Sequence, residues 1–270
     1  VLLFAALAFC QDGDEILHAN HGFEMYSIVS KVVGAVPKKI KEDVNFNLNI
    51  ENLIDQTNDA TKVIYIASPN NPTGTYLSRD QLVKLMNSIS KNIIVVIDGA
   101  YVEYVQKDDY DKGFSLTDEY ENIILTRTFS KTYGLAALRV GWCYTSQKIA
   151  DIINKIKPPF NTTTISQSLA IKALEDKEHI ENSVKLNSEI KDWFEKELKL
   201  LNIKTRQTEG NFTLIETSEE EAEKISNHLM NDGIIIRRLN SYNLPNFLRI
   251  SIGTKEEMNL TVESLKKFNV

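Results

Sequence analysis

Apolar positions along this chain fall into two rhythms. Residues 93–97 read Ile-Ile-Val-Val-Ile with no polar interruption, the pattern of a parallel strand covered on both faces. Shorter apolar runs at 15–19, 35–41, 63–67, 122–126 and 140–145 are further strand candidates. Between them, residues 1–10 suit a buried helix, and 23–33, 79–90 and 147–157 suit further helices. Ser78 with Gln81 forms a capping box at the start of the third, and Pro158-Pro159 stops the fourth. Gly34 and Asp12-Gly13 mark turns.

Strands separated by helices predict an α/β architecture, a mostly parallel sheet sandwiched by helices. From about residue 166 the rhythm changes to long, charged, amphipathic helices at 177–201, 219–231 and 255–268, with short strands at 213–216, 234–237 and 248–252. This predicts a large unit over 1–165 and a smaller C-terminal α+β unit over 166–270.

A length of 270 residues with 42% hydrophobic content can bury a substantial core. Net charge −6 with lysines scattered among acids supplies no basic stripe for nucleic acid and no polybasic patch for a membrane, so the expected setting is cytoplasmic. Cys10 and Cys143 stand far apart without a CxxC pattern and are expected to be buried thiols. His18 and His21 lack further ligands at metal-binding spacing, so no metal is expected; His179 and His228 read as surface residues. The apolar start has no initiating Met, basic leader or cleavage site and is too short to span a bilayer, so the chain is expected to be the interior of a longer protein.

Candidate chemistry gathers at predicted strand ends, where open α/β sheets bind ligands. Residues 126–142 carry hydroxyls at Thr128 and Ser130, an amine at Lys131 and a guanidinium at Arg139. Such a set can condense with an aldehyde and hold a phosphate, although an ordinary surface loop reads the same way. Asp98 ends the most apolar strand, where a carboxylate needs a partner: a cationic ring nitrogen satisfies it, and so does a turn cap. Tyr101 follows three residues on, and Asn70 and Asn71 sit in the proline-restricted turn Ser68-Pro69-Asn70-Asn71-Pro72-Thr73-Gly74. Of 31 Lys plus Arg only seven are Arg, so guanidinium is used selectively. Arg139, Arg237 and Arg249 lie in apolar contexts that suit bidentate anion binding, whereas Arg79, Arg127, Arg206 and Arg238 have no obvious demand on them. Arginines snorkelling from half-buried strands are the plainer alternative.

Taken in order, Ser-Pro-Asn-Asn-Pro-Thr-Gly at 68–74, Asp98 with Tyr101, Thr-Phe-Ser-Lys at 128–131 and Gly-Leu-Ala-Ala-Leu-Arg-Val-Gly at 134–141 resemble the fold-type I aminotransferases. Within them the chain is most similar to the histidinol-phosphate aminotransferases, almost end to end, through Gly210-Asn211-Phe212, Ile-Ile-Ile-Arg at 234–237 and Leu-Arg-Ile-Ser-Ile-Gly-Thr at 248–254. The resemblance implies a pyridoxal phosphate-dependent transferase fold, a homodimer, and amino-group exchange between glutamate and imidazole-acetol phosphate in histidine biosynthesis. It implies that Lys131 is the Schiff-base lysine, Asp98 the partner of the ring nitrogen, and Asn71 and Tyr101 the partners of the ring's phenolic oxygen. Thr128, Ser130 and Arg139 would bind the cofactor phosphate, Phe23 would stack on the ring, Arg249 would take the substrate carboxylate and Arg237 a phosphate or other anion.

An aromatic aminotransferase or a related decarboxylase shares the cofactor residues, and an inactive fragment or binding module is the non-enzyme alternative. Family members more often have Glu where this chain has Gly99, which is expected to loosen that turn. They also begin upstream of the position matching Val1, with part of the small domain, a glycine-containing phosphate loop and a residue that crosses the dimer interface.

Overall fold

The computed structural model describes residues 1–268. Its larger sheet has the order β2-β1-β3-β4-β5-β6. Five strands, β1 (Glu15–Ala19), β2 (Val36–Ile40), β3 (Thr61–Ala67), β4 (Ile94–Asp98) and β5 (Ile123–Thr128), run parallel, and β6 (Gly141–Thr145) closes the edge antiparallel to β5. Helices α1 (Leu2–Phe9), α2 (Met25–Val32) and α6 (Gln147–Ile156) cover one face; α3 (Ile50–Asp55), α4 (Arg79–Ser88) and α5 (Phe114–Glu119) cover the other.

Alternation along β3 explains why both faces are dry. Val63 and Tyr65 pack with Ala5, Ala6 and Val29, whereas Ile64 and Ile66 pack with Leu82 and Leu85. All are buried, and each aliphatic side chain so covered contributes about 1.5–3 kcal/mol, so a one-residue slip that exchanges the faces is strongly disfavoured.

The second sheet is antiparallel in the order β7-β8-β10-β9. It comprises β7 (Lys204–Arg206), β8 (Phe212–Glu216), β9 (Arg237–Leu239) and β10 (Leu244–Ser251). Helices α8 (Lys177–Leu200), α9 (Glu219–Asn231) and α10 (Lys255–Phe268) pack on it through Phe194, Leu198, Ile225, Leu229, Met258 and Val262. In the chain between the strands of the two sheets, α7 (Thr164–Glu175) runs continuously across residues 165 and 166. The last two residues of the expected C-terminal unit, Asn269 and Val270, lie outside the described residues.

Several expectations need correction. Residues 234–236 are not a strand: β9 begins at Arg237, whose pairing with Arg249 is the first of its ladder with β10. The apolar run is instead shared out, with Ile234 and Ile236 against the small core and Ile235 exposed. Short elements α3, α5 and β7 are additional, the first capped by the Asn49 side chain, which accepts from Asn52 N. Helix α1 is buried only through Ala5 and Ala6 and exposes Leu3 and Leu7. Cys10 and Cys143 are half-buried free thiols, and His228 is half-buried with its ring Nε2 2.9 Å from Ser264 O. Arg127, for which the sequence shows no demand, is almost fully buried.

Candidate active site

Three neighbouring strands deliver the candidate residues to one edge of the larger sheet. β3 ends at Ala67 and runs into the 68–74 turn, β4 ends at Asp98, and β5 ends at Thr128. The turn is fastened from several sides: Ser68 N donates to Asp98 O at 3.1 Å, Gly74 N to Asn70 O at 2.8 Å and the Tyr110 hydroxyl to Ser68 O at 2.7 Å. At Gly74, φ is +75° and a Cβ would run into the Thr208 side chain, so glycine allows the turn to press against the second unit. Glu209 N donates to Gly74 O at 2.8 Å across that contact.

Above these strand ends lies a cleft of about 630 Å³. Phe23, Asn71, Asp98, Tyr101, Thr128, Ser130, Lys131 and Arg139 all line it, so eight residues spread over more than a hundred positions of sequence meet there. Two expected residues do not line it. Arg249 reaches its edge from β10 by donating through Nη1 to Asn71 Oδ1. Arg237 stands on β9 with Nη2 3.7 Å from Glu24 Oε2.

Asp98 Oδ2 accepts from the Tyr26 hydroxyl at 3.0 Å and Oδ1 from the Thr126 hydroxyl at 3.1 Å. Burial raises the carboxyl pKa, and those two hydrogen bonds pull it partly back. Because both donors are neutral hydroxyls, a cationic ring nitrogen fits the charge that burial leaves poorly compensated. Lys131 exposes surface to the open cleft, yet its amine lies 5.3 Å from the Tyr101 ring centroid. Loss of water around that amine, followed by repulsion from Arg249, lowers its pKa against the opposing attraction of Asp98. Tyr101 is itself buried, with its ring edge-on to Phe212 at 5.5 Å, and its phenol pKa is raised by burial.

Arg139 adopts a left-handed conformation with φ of +50°, and its Nη1 donates to Ala136 O at 2.7 Å. Thr128 Oγ1 accepts from Ser130 N at 3.1 Å, curling the chain after β5 so that both hydroxyl residues and Lys131 face the cleft. Phe23 meets Tyr26 edge-on at 5.8 Å and 87°.

Residues absent from the sequence-based set matter here. Tyr26 is stacked on Tyr65 at 4.9 Å and 5°, and the Tyr65 hydroxyl donates to Leu2 O at 2.8 Å. Its helical spacing from Phe23 puts both on the sheet-facing side of the chain, but only the packing shows which carboxylate it meets. Arg127 fills the room beside Gly99, where a Cβ would strike its guanidinium and lie 2.6 Å from Val102 Cγ1. Arg127 Nη1 donates to Thr126 O at 2.8 Å, Nη2 donates to Lys112 O, and Gly99 N donates to Thr126 O at 3.1 Å. The turn after Asp98 is thus wedged and hydrogen-bonded rather than loosened. Strand parity was a signal for Arg127, since it points away from Thr126 and Thr128 on alternate residues of β5.

A family model for aminotransferase class I and II matches residues 1–265. The chain belongs to the class I and class II aminotransferases. Among curated relatives, it is 40% identical over 265 residues to a histidinol-phosphate aminotransferase of Pelagibacter ubique, covering 97% of this chain and 73% of that protein. It is 36% identical over 269 residues to the Roseobacter denitrificans histidinol-phosphate aminotransferase, covering 99% and 74%. The fold matches the Sinorhizobium meliloti histidinol-phosphate aminotransferase solved in complex with pyridoxal-5'-phosphate, with TM-score 0.91, 23% identity, and coverage of 99% of this chain and 74% of that one. It also matches an aspartate aminotransferase of Thermotoga maritima, with TM-score 0.88, 23% identity, and coverage of 99% and 72%. An aminotransferase on this fold accounts for a cleft that combines an amine, a half-buried carboxylate and a nearby guanidinium. Among the described residues no helix is long and apolar enough to cross a membrane.

Proposed function

We propose that this aminotransferase is a histidinol-phosphate transaminase, passing an amino group between L-histidinol phosphate and 2-oxoglutarate in a ping-pong reaction with pyridoxal phosphate. The observation that carries this reading is the meeting of Asp98 and Lys131 in one cleft, with Arg249 held to the cleft residue Asn71 from a third segment, and the names of the curated relatives support the substrate. When bound, the cofactor would supply an aldehyde to carry the amino group and an electron-withdrawing ring.

The rest of the work falls to the protein. Asp98, held between Tyr26 and Thr126, would face the ring nitrogen and keep it protonated. Asn71 and Tyr101 would hold the ring's phenolic oxygen, Phe23 would cover the ring face, and Thr128, Ser130 and Arg139 would hold the phosphate. The lowered pKa of Lys131 leaves more of its Nζ unprotonated near neutral pH, as an amine that takes a proton from the substrate Cα and returns it must be. Arg249 would anchor a substrate carboxylate, and Arg237 the phosphate of histidinol phosphate or another anion. We place the large unit at residues 1–165 and the small one at 166–270, and read the enzyme as a cytoplasmic homodimer.

Protein given pyridoxal phosphate should develop a visible absorbance band that Lys131→Ala lacks, and the substitution should cut turnover by roughly a thousandfold or more. Histidinol phosphate should outcompete phenylalanine as amino donor. Equal use of the two would sink the substrate assignment while leaving the transaminase intact.

A further inference from the structure

We propose that Glu24 is a specificity-determining residue, an internal counter-anion on Arg237 that an incoming anionic substrate group must displace. This rests on the reading of Arg237 as an anion receptor.

Glu24 immediately follows Phe23, which lines the cleft, and is the N-cap position of α2, so it belongs to the larger sheet's layer. Arg237 begins β9 in the smaller sheet. The 3.7 Å pair therefore links the layers of the two sheets, one residue along the chain from Phe23, which lines the cleft. An acid at a helix start ordinarily has its own helix to serve, by accepting from free backbone N–H groups. Glu24 makes no such bond and its backbone is already helical at φ −51°, which leaves the carboxylate free to turn outward.

Arg237 has a reason to attract it. In the antiparallel ladder Arg237 is directly paired with Arg249, and directly paired residues share a face. Two guanidiniums side by side repel each other and attract anions. Arg249 is half-buried and donates to Asn71 at the cleft edge, whereas Arg237 keeps 54% of its side chain exposed and is the more accessible of the two cations to a ligand in solution. The Tyr242 phenol registers the same group of charges: burial raises its pKa most, Glu24 raises it further, and Arg249 and Arg237 lower it.

A phosphate approaching Arg237 meets the cation already paired and a like charge beside it. A substrate without that anion meets neither. Glu24 thus narrows the advantage that phosphorylated amines have over neutral ones. Because both partners are substantially exposed, the effect is small: removing the charge should favour the phosphorylated substrate by about two- to fivefold, or about 0.4–1 kcal/mol.

The test compares histidinol phosphate with histidinol in the cofactor-loaded enzyme. Glu24→Gln should raise the ratio of KM for histidinol to KM for histidinol phosphate about two- to fivefold, with the change falling on KM rather than kcat. In an Arg237→Gln background the same substitution should leave the ratio where it was. A ratio that does not rise, or a rise that persists without Arg237, overturns the proposal. Calorimetric dissociation constants for both ligands, on wild type and Glu24→Gln, separate the two readings. If wild type fails to turn over histidinol phosphate, the substrate assignment falls, and selectively tighter binding of that ligand by Glu24→Gln still supports the role of Glu24. No selective tightening overturns that role.

Discussion

The Asp98 carboxyl is held between opposing pulls. Burial raises its pKa above the unfolded value, so the linked stability is fully present below the ordinary carboxylate range and is lost as pH rises through the folded-state pKa. The Tyr26 hydroxyl offsets part of that loss by donating to the charged form. Tyr26→Phe removes only that oxygen and leaves the stack on Tyr65, so the folded pKa of Asp98 should rise further. Urea unfolding of cofactor-free protein should show Tyr26→Phe less stable by about 1–3 kcal/mol at pH near 8, with a smaller deficit near pH 4, as falling pH favours the protonated Asp98 carboxyl. An equal deficit at both pH values would show that the hydroxyl does not act through Asp98. Asp98 was legible as a candidate because it ends an apolar run with a carboxylate that needs a partner, Asn71 because it sits in a proline-restricted turn after a strand, and Lys131 because it lies among the hydroxyls and guanidinium of residues 126–142. Tyr26 was not, since an aromatic on a helix facing a sheet reads as core until its hydroxyl is placed.

At the scale of elements, the turn after β4 shows how one substitution in a motif is absorbed. Gly99 has no side chain, and the Arg127 guanidinium takes the space while satisfying two carbonyls. Gly99→Ala should therefore destabilise the protein by about 1–3 kcal/mol through overpacking, read as a lower denaturant midpoint with unchanged slope. A neutral result would mean that Arg127 can withdraw without cost. Most elements could be drawn from periodicity: β1, α9 and α10 fall on their expected residues, and the Ser78 and Gln81 box does cap α4. The failures share a cause. Residues 234–236 look like a strand because they are β-branched and apolar, but strand pairing is decided by the partner, and the ladder with β10 starts only at Arg237.

For the whole molecule, α7 presents Ile165, Leu169, Ile171 and Leu174 to the outside of this single chain. Ile165 and Leu169, one turn apart, share a face, and an exposed apolar face is expected where a homodimer forms. Changing Ile165 and Leu169 together to Lys should shift the protein from dimer to monomer in sedimentation, whereas a wild type that sediments as a monomer would end the dimer reading. The sequence alone determined the α/β class, the change of character near residue 166, and the family, because apolar periodicity and ordered motifs are local and additive along the chain. Only the tertiary structure decided that Tyr26 and Thr126 share Asp98, that Arg127 fills the place beside Gly99, and that Glu24 meets Arg237. Each of those depends on the spacing between separate elements, set by how their apolar faces pack, and no local pattern encodes that distance.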